Sequence, residues 1–347
     1  MAVGFPANTS FADGNPLTGA QINDITGTLN LLQNSAFPIM AGKNAVINGG
    51  MDFWQRGTSS GSAGYQTADR WYENATSSTT FAQETTVVPT GSKYSFKMTA
   101  GATASMYIQQ AIETNNSLQF AGQLVTVSAQ VQASVTTGMT VNAQYSTSVD
   151  NPASGTWSTI AATSGGTGNA VTGSFTRISG VYLIPANAKS ILFQITTTST
   201  VANGVIVYIG QCQLELGSTA TTFSRAGGSI GGELALCQRY YWRVVAGGTF
   251  GHLLQGVYPS TTLFAGQLNV PVPMRVIPTA VDSGGTYRLT DYLGTALTAA
   301  APGLVANESG TNVIWLASTT TGATAGRFGW LQGSADGTAY IGVSAEL

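Results

Sequence analysis

Four carboxylate residues cluster near the start of a chain whose polar residues are otherwise mostly uncharged. They are Asp52, Asp69, Glu73 and Glu84. A glycosidase needs two carboxyl groups that face each other across the bond to be cleaved. However, each of the two aspartates is followed closely by an arginine, Arg56 or Arg70. We therefore predict that the aspartates pair with these arginines, stay ionised and hold the entry to the first strand.

Nucleophilic catalysis has little support in the sequence. The chain has one histidine, His252, and no acidic residue lies near it in sequence. Residues 57–61 match G-x-S-x-G, but a nucleophile elbow needs a strand before the serine and a helix after it, whereas this stretch is typical of a loop. Cys212 and Cys237 lack C-x-x-C spacing, so we expect buried free thiols. The sequence predicts no catalytic residue, no metal site and no cofactor.

Exposed aromatic residues would allow carbohydrate binding without catalysis. Sugars stack the CH-rich faces of their rings on aromatic side chains and pair their hydroxyls with polar groups. We expect Trp54 and Trp71 to pack inside a β-domain. Trp157 lies in SGTWSTIAA, which is otherwise small and polar. We therefore predict Trp157, Tyr65 and Trp242 as carbohydrate-binding residues.

The composition excludes several classes of protein. Charged residues make up 8% of the chain and the net charge is −2, which disfavours nucleic acid as a partner. No apolar run is long enough to span a membrane, so no membrane insertion is expected. Hydrophobic residues make up 43%, which disfavours disorder. Because MAVGFPANTS has no basic or apolar signal region, we expect synthesis in a cytosol without a signal peptide.

The first 43 residues form a segment distinct from the rest. Residues 1–17 contain prolines and glycines without periodicity, and Thr18 begins a capping-box pattern. An a/d seam of apolar residues follows at spacings of three and four, which favours a short trimeric coiled coil or a simple amphipathic helix. The seam consists of Ile22, Ile25, Leu29 and Leu32.

Alternating apolar residues then predict many short strands. Val125, Val127 and Ala129 share one face of such a strand, as do Ile191 and Phe193. In the last strand of this region, the same alternation predicts an apolar face that consists of Ile206, Tyr208, Cys212, Leu214 and Leu216. Short strands separated by Gly/Asn/Ser turns are typical of an antiparallel sandwich.

A linker of small polar residues, GSTATTFSRAGGSIGG, separates this region from the rest. The following segment 233–243 is compatible with either helix or strand, and strand signals return to the end. The sequence thus predicts an all-β chain with a short N-terminal arm and helix (1–43), an antiparallel jelly-roll sandwich (44–225) and a smaller C-terminal β-sandwich (226–347).

Several motifs together resemble a known family. The motifs NAVINGGMDFWQRGTS, TADRW, YIQQAIE and VYIGQCQLELGSTATTFSR look like a jelly-roll domain of bacteriophage tail-fibre and virion appendage proteins. That domain is similar to carbohydrate-binding modules. GGELALCQRYYWR, VPVPMRVIPTA and the final AEL resemble the downstream domain of the same proteins, and LTGAQINDITGTLNLLQ resembles their virion-docking start.

The resemblance implies a non-enzymatic virion protein. It would be a homotrimeric tail fibre that docks to other virion proteins through residues 1–40 and attaches to polysaccharide on the bacterial surface. Weak sites would be multiplied by the copy number of the trimer. Two alternatives stay open: a purely structural capsid fibre, decoration or adaptor protein without glycan binding, and a polysaccharide depolymerase.

Overall fold

The computed structural model describes residues 43–74 and 78–347. These residues belong to one compact unit, in which antiparallel strands predominate. This confirms the predicted all-β class. The predicted arm and the oligomerisation seam of Ile22, Ile25, Leu29 and Leu32 lie outside the described residues. In the described part, no helix is long and apolar enough to cross a membrane.

The first half of the unit contains thirteen strands. They are β1 (Ser59–Ser60), β2 (Tyr72–Glu73), β3 (Thr80–Glu84), β4 (Ser95–Thr99), β5 (Tyr107–Ile112), β6 (Leu124–Ala133), β7 (Thr137–Ser146), β8 (Ser158–Thr159), β9 (Ala162–Gly165), β10 (Thr167–Ala170), β11 (Thr176–Leu183), β12 (Ser190–Thr197) and β13 (Ile206–Leu216). Sheet I has the order β1-β3-β4-β13-β6-β11-β9, and sheet II has the order β10-β7-β12-β5-β2 with β8 beside β7. A short helix α1 (Thr114–Ser117) and a 3-10 turn (Leu118–Phe120) link β5 to β6.

The two sheets enclose a single hydrophobic core. Val125, Val127 and Ala129 point inward from sheet I, and Ile191 and Phe193 point inward from sheet II. The period-two alternation read from the sequence therefore predicts the inward faces of these strands. Trp71 is fully buried in this core and Trp54 packs against it.

Strand β13 departs from its predicted alternation. Its inward residues are Val207, Ile209, Cys212 and Leu214, whereas Leu216 is exposed. The register with β6 shifts between Gly210 and Gln213, and Gln211 has a φ of 50°. The prediction that Ile206 and Tyr208 face the core is wrong. Because the bulge inserts one residue, the residues before it point to the side of the sheet opposite to the one that a regular alternation would give them.

The second half contains ten strands and a second core. They are β14 (Tyr241–Val245), β15 (His252–Ser260), β16 (Leu263–Asn269), β17 (Ala280–Gly284), β18 (Tyr287–Asp291), β19 (Ala296–Ala299), β20 (Gly303–Leu304), β21 (Val313–Thr319), β22 (Phe328–Gly333) and β23 (Tyr340–Ser344). Sheet III has the order β14-β23-β17, and sheet IV has the order β19-β18-β22-β15-β16-β21-β20. A 3-10 turn (Ala306–Glu308) precedes β21. Apolar residues of both sheets share one cluster.

The segment left open between helix and strand contains both. Helix α2 (Ile230–Gln238) begins after Ser229, whose hydroxyl accepts a hydrogen bond from the Gly232 amide at 3.1 Å, and β14 follows it. A third apolar cluster, which includes Cys237, Tyr240 and Leu347, lies against sheet II. The predicted boundary at 225/226 stays a prediction, since residues on both sides of it belong to one compact unit.

Candidate functional site

The outer face of sheet II carries a row of polar side chains across four strands. Tyr72 of β2 lies opposite Gln109 of β5, Gln109 lies opposite Gln194 of β12, and Gln194 lies opposite Asn142 of β7. Residues directly opposite each other in an antiparallel pair share a face. Their sequence neighbours point to the core, so this row, which we call the amide row, points away from it.

Hydrogen bonds between the side chains fix the orientation of the amides. Gln194 Nε2 donates to Gln109 Oε1 at 2.8 Å, and Gln194 Oε1 accepts from Gln144 Nε2 at 3.2 Å and from Asn142 Nδ2 at 3.4 Å. Gln109 Nε2 donates to the Ala153 carbonyl at 2.7 Å. No described residue donates to Asn142 Oδ1 or Gln144 Oε1. These two carbonyl oxygens are therefore able to accept hydrogen bonds from a ligand.

A second row lies beside the amide row. Tyr107 is opposite Thr196, Thr196 is opposite Thr140, and Thr140 is opposite Thr167. Tyr107 accepts a hydrogen bond from the side-chain amide of Asn74. Burial, helped by the neighbouring Tyr72, raises the pKa of Tyr107 above its usual value, so its hydroxyl stays protonated. Neither row contains a charged side chain.

Two of the three predicted carbohydrate-binding residues lie at one end of this face. Tyr65 packs edge-on against Tyr72 with ring centroids 5.5 Å apart, and its hydroxyl donates to the Leu347 main-chain oxygen at 2.9 Å. Burial raises the pKa of Tyr65. Trp157 Nε1 donates to the Pro152 carbonyl at 3.1 Å. Both residues are half-buried and pack against the third cluster, as Tyr72 does.

The third predicted residue, Trp242, belongs to a different part of the fold. It lies on β14, packs against the second core and lines a cavity together with His252 and Trp330. The structure therefore brings Tyr65 and Trp157 to a common cluster and places Trp242 elsewhere. The carbohydrate-binding role of all three stays a prediction.

The early carboxylates have other partners than those predicted. Asp52 pairs with Arg225, at 2.8 Å from its Nε. Asp69 accepts hydrogen bonds from both the main chain and the side chain of Gln55. Arg56 and Arg70 both pair with Glu346. The predicted Asp/Arg pairs are therefore wrong. Asp52 pairs with an arginine distant in sequence, Asp69 bonds to a nearby glutamine, and the two arginines pair with a carboxylate near the end of the chain.

Burial also determines the protonation of two of these carboxyls. Burial raises the pKa of Glu73 to about 8, although hydrogen bonds from Thr67 act to lower it. It raises the pKa of Asp69 to about 6, with hydrogen bonds from Gln55 acting in the opposite direction. Only 1% of Asp69 and none of Glu73 is exposed. These side chains cannot contact a polysaccharide substrate, so they do not form the pair of a glycosidase.

The G-x-S-x-G match has no catalytic context in the fold. Ser59 lies in β1, where it pairs with Ala82 of β3, and the next described element is the strand β2 rather than a helix. His252 lies on β15 with its ring 5.3 Å from that of Trp330. Both cysteines are buried free thiols, as predicted. In the described residues, no group of three or more His, Cys, Asp or Glu side chains is arranged to hold a metal.

The sequence analysis missed the residues of the amide row. The signal is present in the strands themselves, since amides occupy the positions that alternate with the apolar core residues, as in Asn142 and Gln144 around Ala143. A polar residue at such a position is typical of any solvated strand. Only the pairing of β2, β5, β12 and β7 shows that one polar residue from each of these strands lies in a common row.

Comparison with known proteins finds only weak structural similarities. No family model and no curated protein matches the chain. A xylan-binding domain from Paenibacillus barcinonensis is 12% identical, with a TM-score of 0.34 over 52% of this chain and 98% of that one. The N-terminal modules of an endo-1,4-β-D-xylanase from Clostridium thermocellum, complexed with xylohexaose, are 18% identical, with a TM-score of 0.33 over 48% of this chain and 29% of that one.

A phage protein is among the similar structures. The enzymatically active domain of tailspike protein 4 of bacteriophage CBA120 is 14% identical, with a TM-score of 0.32 over 50% of this chain and 21% of that one. TM-scores of this size establish neither a shared family nor a shared ligand.

Proposed function

We propose that this chain is a non-catalytic glycan-binding protein that holds a neutral saccharide on the outer face of sheet II. The amide row is the observation that carries the proposal. Its side chains are uncharged, and its amides hold one another in place. The carbonyl oxygens of Asn142 in the row and of Gln144 beside it have no donor in the described structure. Sugar hydroxyls are the donors that match such acceptors.

The aromatic residues at the margin complete the chemistry. Tyr72 begins the amide row and Tyr107 begins the row beside it. Phenol rings offer a flat surface to the CH face of a sugar, and their hydroxyls add donors and acceptors. Since neither row carries a charge, the face favours neutral over acidic saccharides.

The wider biological role is part of the same proposal. The resemblance of the strand motifs to phage appendage proteins supports a homotrimeric tail fibre that attaches a virion to bacterial surface polysaccharide. Residues 1–40 would dock to other virion proteins, and three copies would raise the avidity of a weak site. Light scattering of the full chain tests the trimer, and a stable monomer would contradict it.

Binding of soluble neutral polysaccharides to the Asn142→Ala variant tests the site. We expect roughly a tenfold loss of affinity, the cost of about one hydrogen-bonding group at a rigid site. Gln132→Ala is the matched control, because Gln132 lies on β6 of sheet I with no hydrogen bond from its side chain in the described structure. Isothermal titration calorimetry gives both dissociation constants.

The outcomes separate the candidate functions. If the wild-type chain binds no saccharide at all, the role is that of a purely structural fibre, decoration or adaptor. If Asn142→Ala and Gln132→Ala bind equally well, the amide row is not the site. Release of reducing sugar ends from a bound polysaccharide would instead indicate a depolymerase.

A further inference from the structure

The outer face of sheet IV carries a second row of side chains, this time with a tryptophan at each end. Trp330 of β22 lies opposite Gln255 of β15, Gln255 lies opposite Gln267 of β16, and Gln267 lies opposite Trp315 of β21. The four side chains therefore share one face, and we call them the tryptophan row. Three strand spacings separate the two tryptophans, which is roughly 14 Å.

The hydrogen bonding of the indole groups divides the tryptophans into two sets. Trp54, Trp71 and Trp157 donate their Nε1 hydrogens to main-chain carbonyl oxygens of the protein. For the others, Trp242, Trp315 and Trp330, no described residue accepts that hydrogen. None of the three is among the buried groups without a partner. Their indole nitrogens thus remain open to solvent or to a ligand.

The amides of this face are open in the same way. Gln255, Gln267 and Asn269 make no side-chain hydrogen bond with any described residue, and all three are exposed. The face of sheet II differs, because its amides already bond to one another. Donors and acceptors on sheet IV are therefore free to meet a partner.

An open cavity adjoins the row. Its volume is about 280 Å³, and its polar and aromatic lining consists of Trp242, His252, Gln255, Gln267, Asn269 and Trp330. Three of these residues belong to the tryptophan row. Val244, Leu253, Leu254 and Leu268 also line the cavity, and no Lys, Arg, Asp or Glu does. The cavity therefore offers apolar and aromatic surface together with uncharged amides.

Neighbouring rings hold Trp330 in position. The His252 ring lies 5.3 Å from it at an angle of 34°, and the Phe328 ring lies 5.5 Å from it at 88°. A ring fixed from two sides loses little freedom when a ligand stacks on it. The surface is therefore preorganised for a flat partner.

We propose that the tryptophan row and its cavity form a second glycan-binding site, for a neutral oligosaccharide that lies across the strands of sheet IV. Trp330 and Trp315 each stack against a sugar ring, while Gln255 and Gln267 bond the hydroxyls between them. A sugar chain has hydroxyls on every ring, so it can satisfy amides that an apolar protein surface would leave unpaired at a cost. The inference deepens the proposed glycan binding but rests on residues of a separate core.

The test uses the full chain and a panel of soluble neutral polysaccharides: xylan, mixed-linkage β-glucan, galactomannan and dextran. Affinity electrophoresis compares the wild type with Trp315→Ala, Trp330→Ala and Asn142→Ala. Each tryptophan variant is expected to weaken binding of at least one polysaccharide roughly tenfold. Val257→Ala is the matched control, because Val257 is an exposed residue on the same face of β15 and should bind as the wild type does.

The combination of variants distinguishes this site from the face of sheet II. If Trp315→Ala abolishes the binding of a polysaccharide that Asn142→Ala still binds, the second site is supported even if the site on sheet II is not. If both tryptophan variants bind like the wild type while Asn142→Ala does not, the second site is overturned and the proposed function stands. A wild type that binds no member of the panel overturns both.

Chemical mapping gives a measurement that does not depend on variants folding. Mild N-bromosuccinimide oxidation followed by peptide mass spectrometry reports which indoles are accessible. Trp315 and Trp330 should be oxidised before the fully buried Trp71, and bound polysaccharide should protect them. Unchanged oxidation of both in the presence of a polysaccharide that demonstrably binds would also overturn the second site.

Discussion

Glu73 shows how burial decides what a single carboxyl group can do. Its side chain is fully buried, one oxygen accepts a hydrogen bond from Thr67, and the other has no partner in the described structure. Burial raises its pKa to about 8. The folded protein thus keeps this proton at pH values where an unfolded glutamate has lost it. A protonated carboxyl also fits the absence of an ion pair to Glu73 among the described residues, where Arg56 acts on it only as a nearby charge.

This bound proton predicts a pH dependence of stability. Folding raises the pKa of Glu73 from 4.5 to about 8, so its contribution is fully present below pH 4.5 and is lost as the pH rises through 8. Asp69 acts in the same direction up to about pH 6. Between pH 5 and pH 8, the free energy of unfolding of the Glu73→Gln variant should fall less than that of the wild type. The difference should be a few kcal/mol, at about 1.4 kcal/mol per pKa unit.

Urea unfolding at pH 5 and at pH 8 measures the effect. Glu84→Gln is the control, because hydrogen bonds from the main chain lower the pKa of Glu84 despite some desolvation, so it is ionised at both pH values. Its stability should decline with pH as the wild type's does. The interpretation of Glu73 fails if Glu73→Gln and wild type decline in parallel.

At the scale of elements, the segment before β1 depends on a close approach to β13. Gly49 accepts a hydrogen bond from the Cys212 amide at 2.9 Å, and a Cβ at position 49 would lie 2.2 Å from the Cys212 carbonyl oxygen. Asn44 bonds to this same strand through the Cys212 carbonyl and the Leu214 amide. The NAVINGG motif thus fastens the chain to the last strand of sheet I.

Gly49→Ala should therefore destabilise the protein by about 3 kcal/mol, since a buried contact of this length forces the main chain apart. Gly231→Ala is the matched control. Position 231 lies in α2, and a Cβ there meets no atom within 4 Å, so the change should be neutral or stabilise by up to about 1 kcal/mol. Thermal unfolding compares the two, and equal melting temperatures would contradict the proposed role of Gly49.

The sequence predicts strands better than it predicts what they assemble. The apolar alternation of Val125, Val127 and Ala129 is a local property, and the core confirms it. The amide row depends on the register of four strands distant in sequence, which no local pattern encodes. The bulge at Gln211 shows the converse, because one inserted residue inverted an otherwise regular alternation.

At the scale of the whole described unit, a charge cluster joins the two halves. Glu346 near the end of the chain pairs with Arg56 at 3.1 Å and also with Arg70. Arg70 lies 3.5 Å from the centroid of Tyr240, and Arg56 lies 3.7 Å from that of Tyr241. Arg70 is 1% exposed. Since these partners are hundreds of positions apart, only the fold reveals that the arginines of the QRG and DRW motifs serve this junction.

Glu346→Ala should uncouple the halves, because it leaves the buried Arg70 without its carboxylate at a cost of about 3–5 kcal/mol. Each half has its own hydrophobic core, so the loss falls on the contact between them. We expect the calorimetric unfolding transition of the wild type to broaden or split in this variant. Glu308→Ala removes an exposed carboxylate without an ion pair in the described residues and should leave the transition unchanged. A single, equally sharp transition at the wild-type temperature in Glu346→Ala would show that the two cores stay together by apolar packing alone.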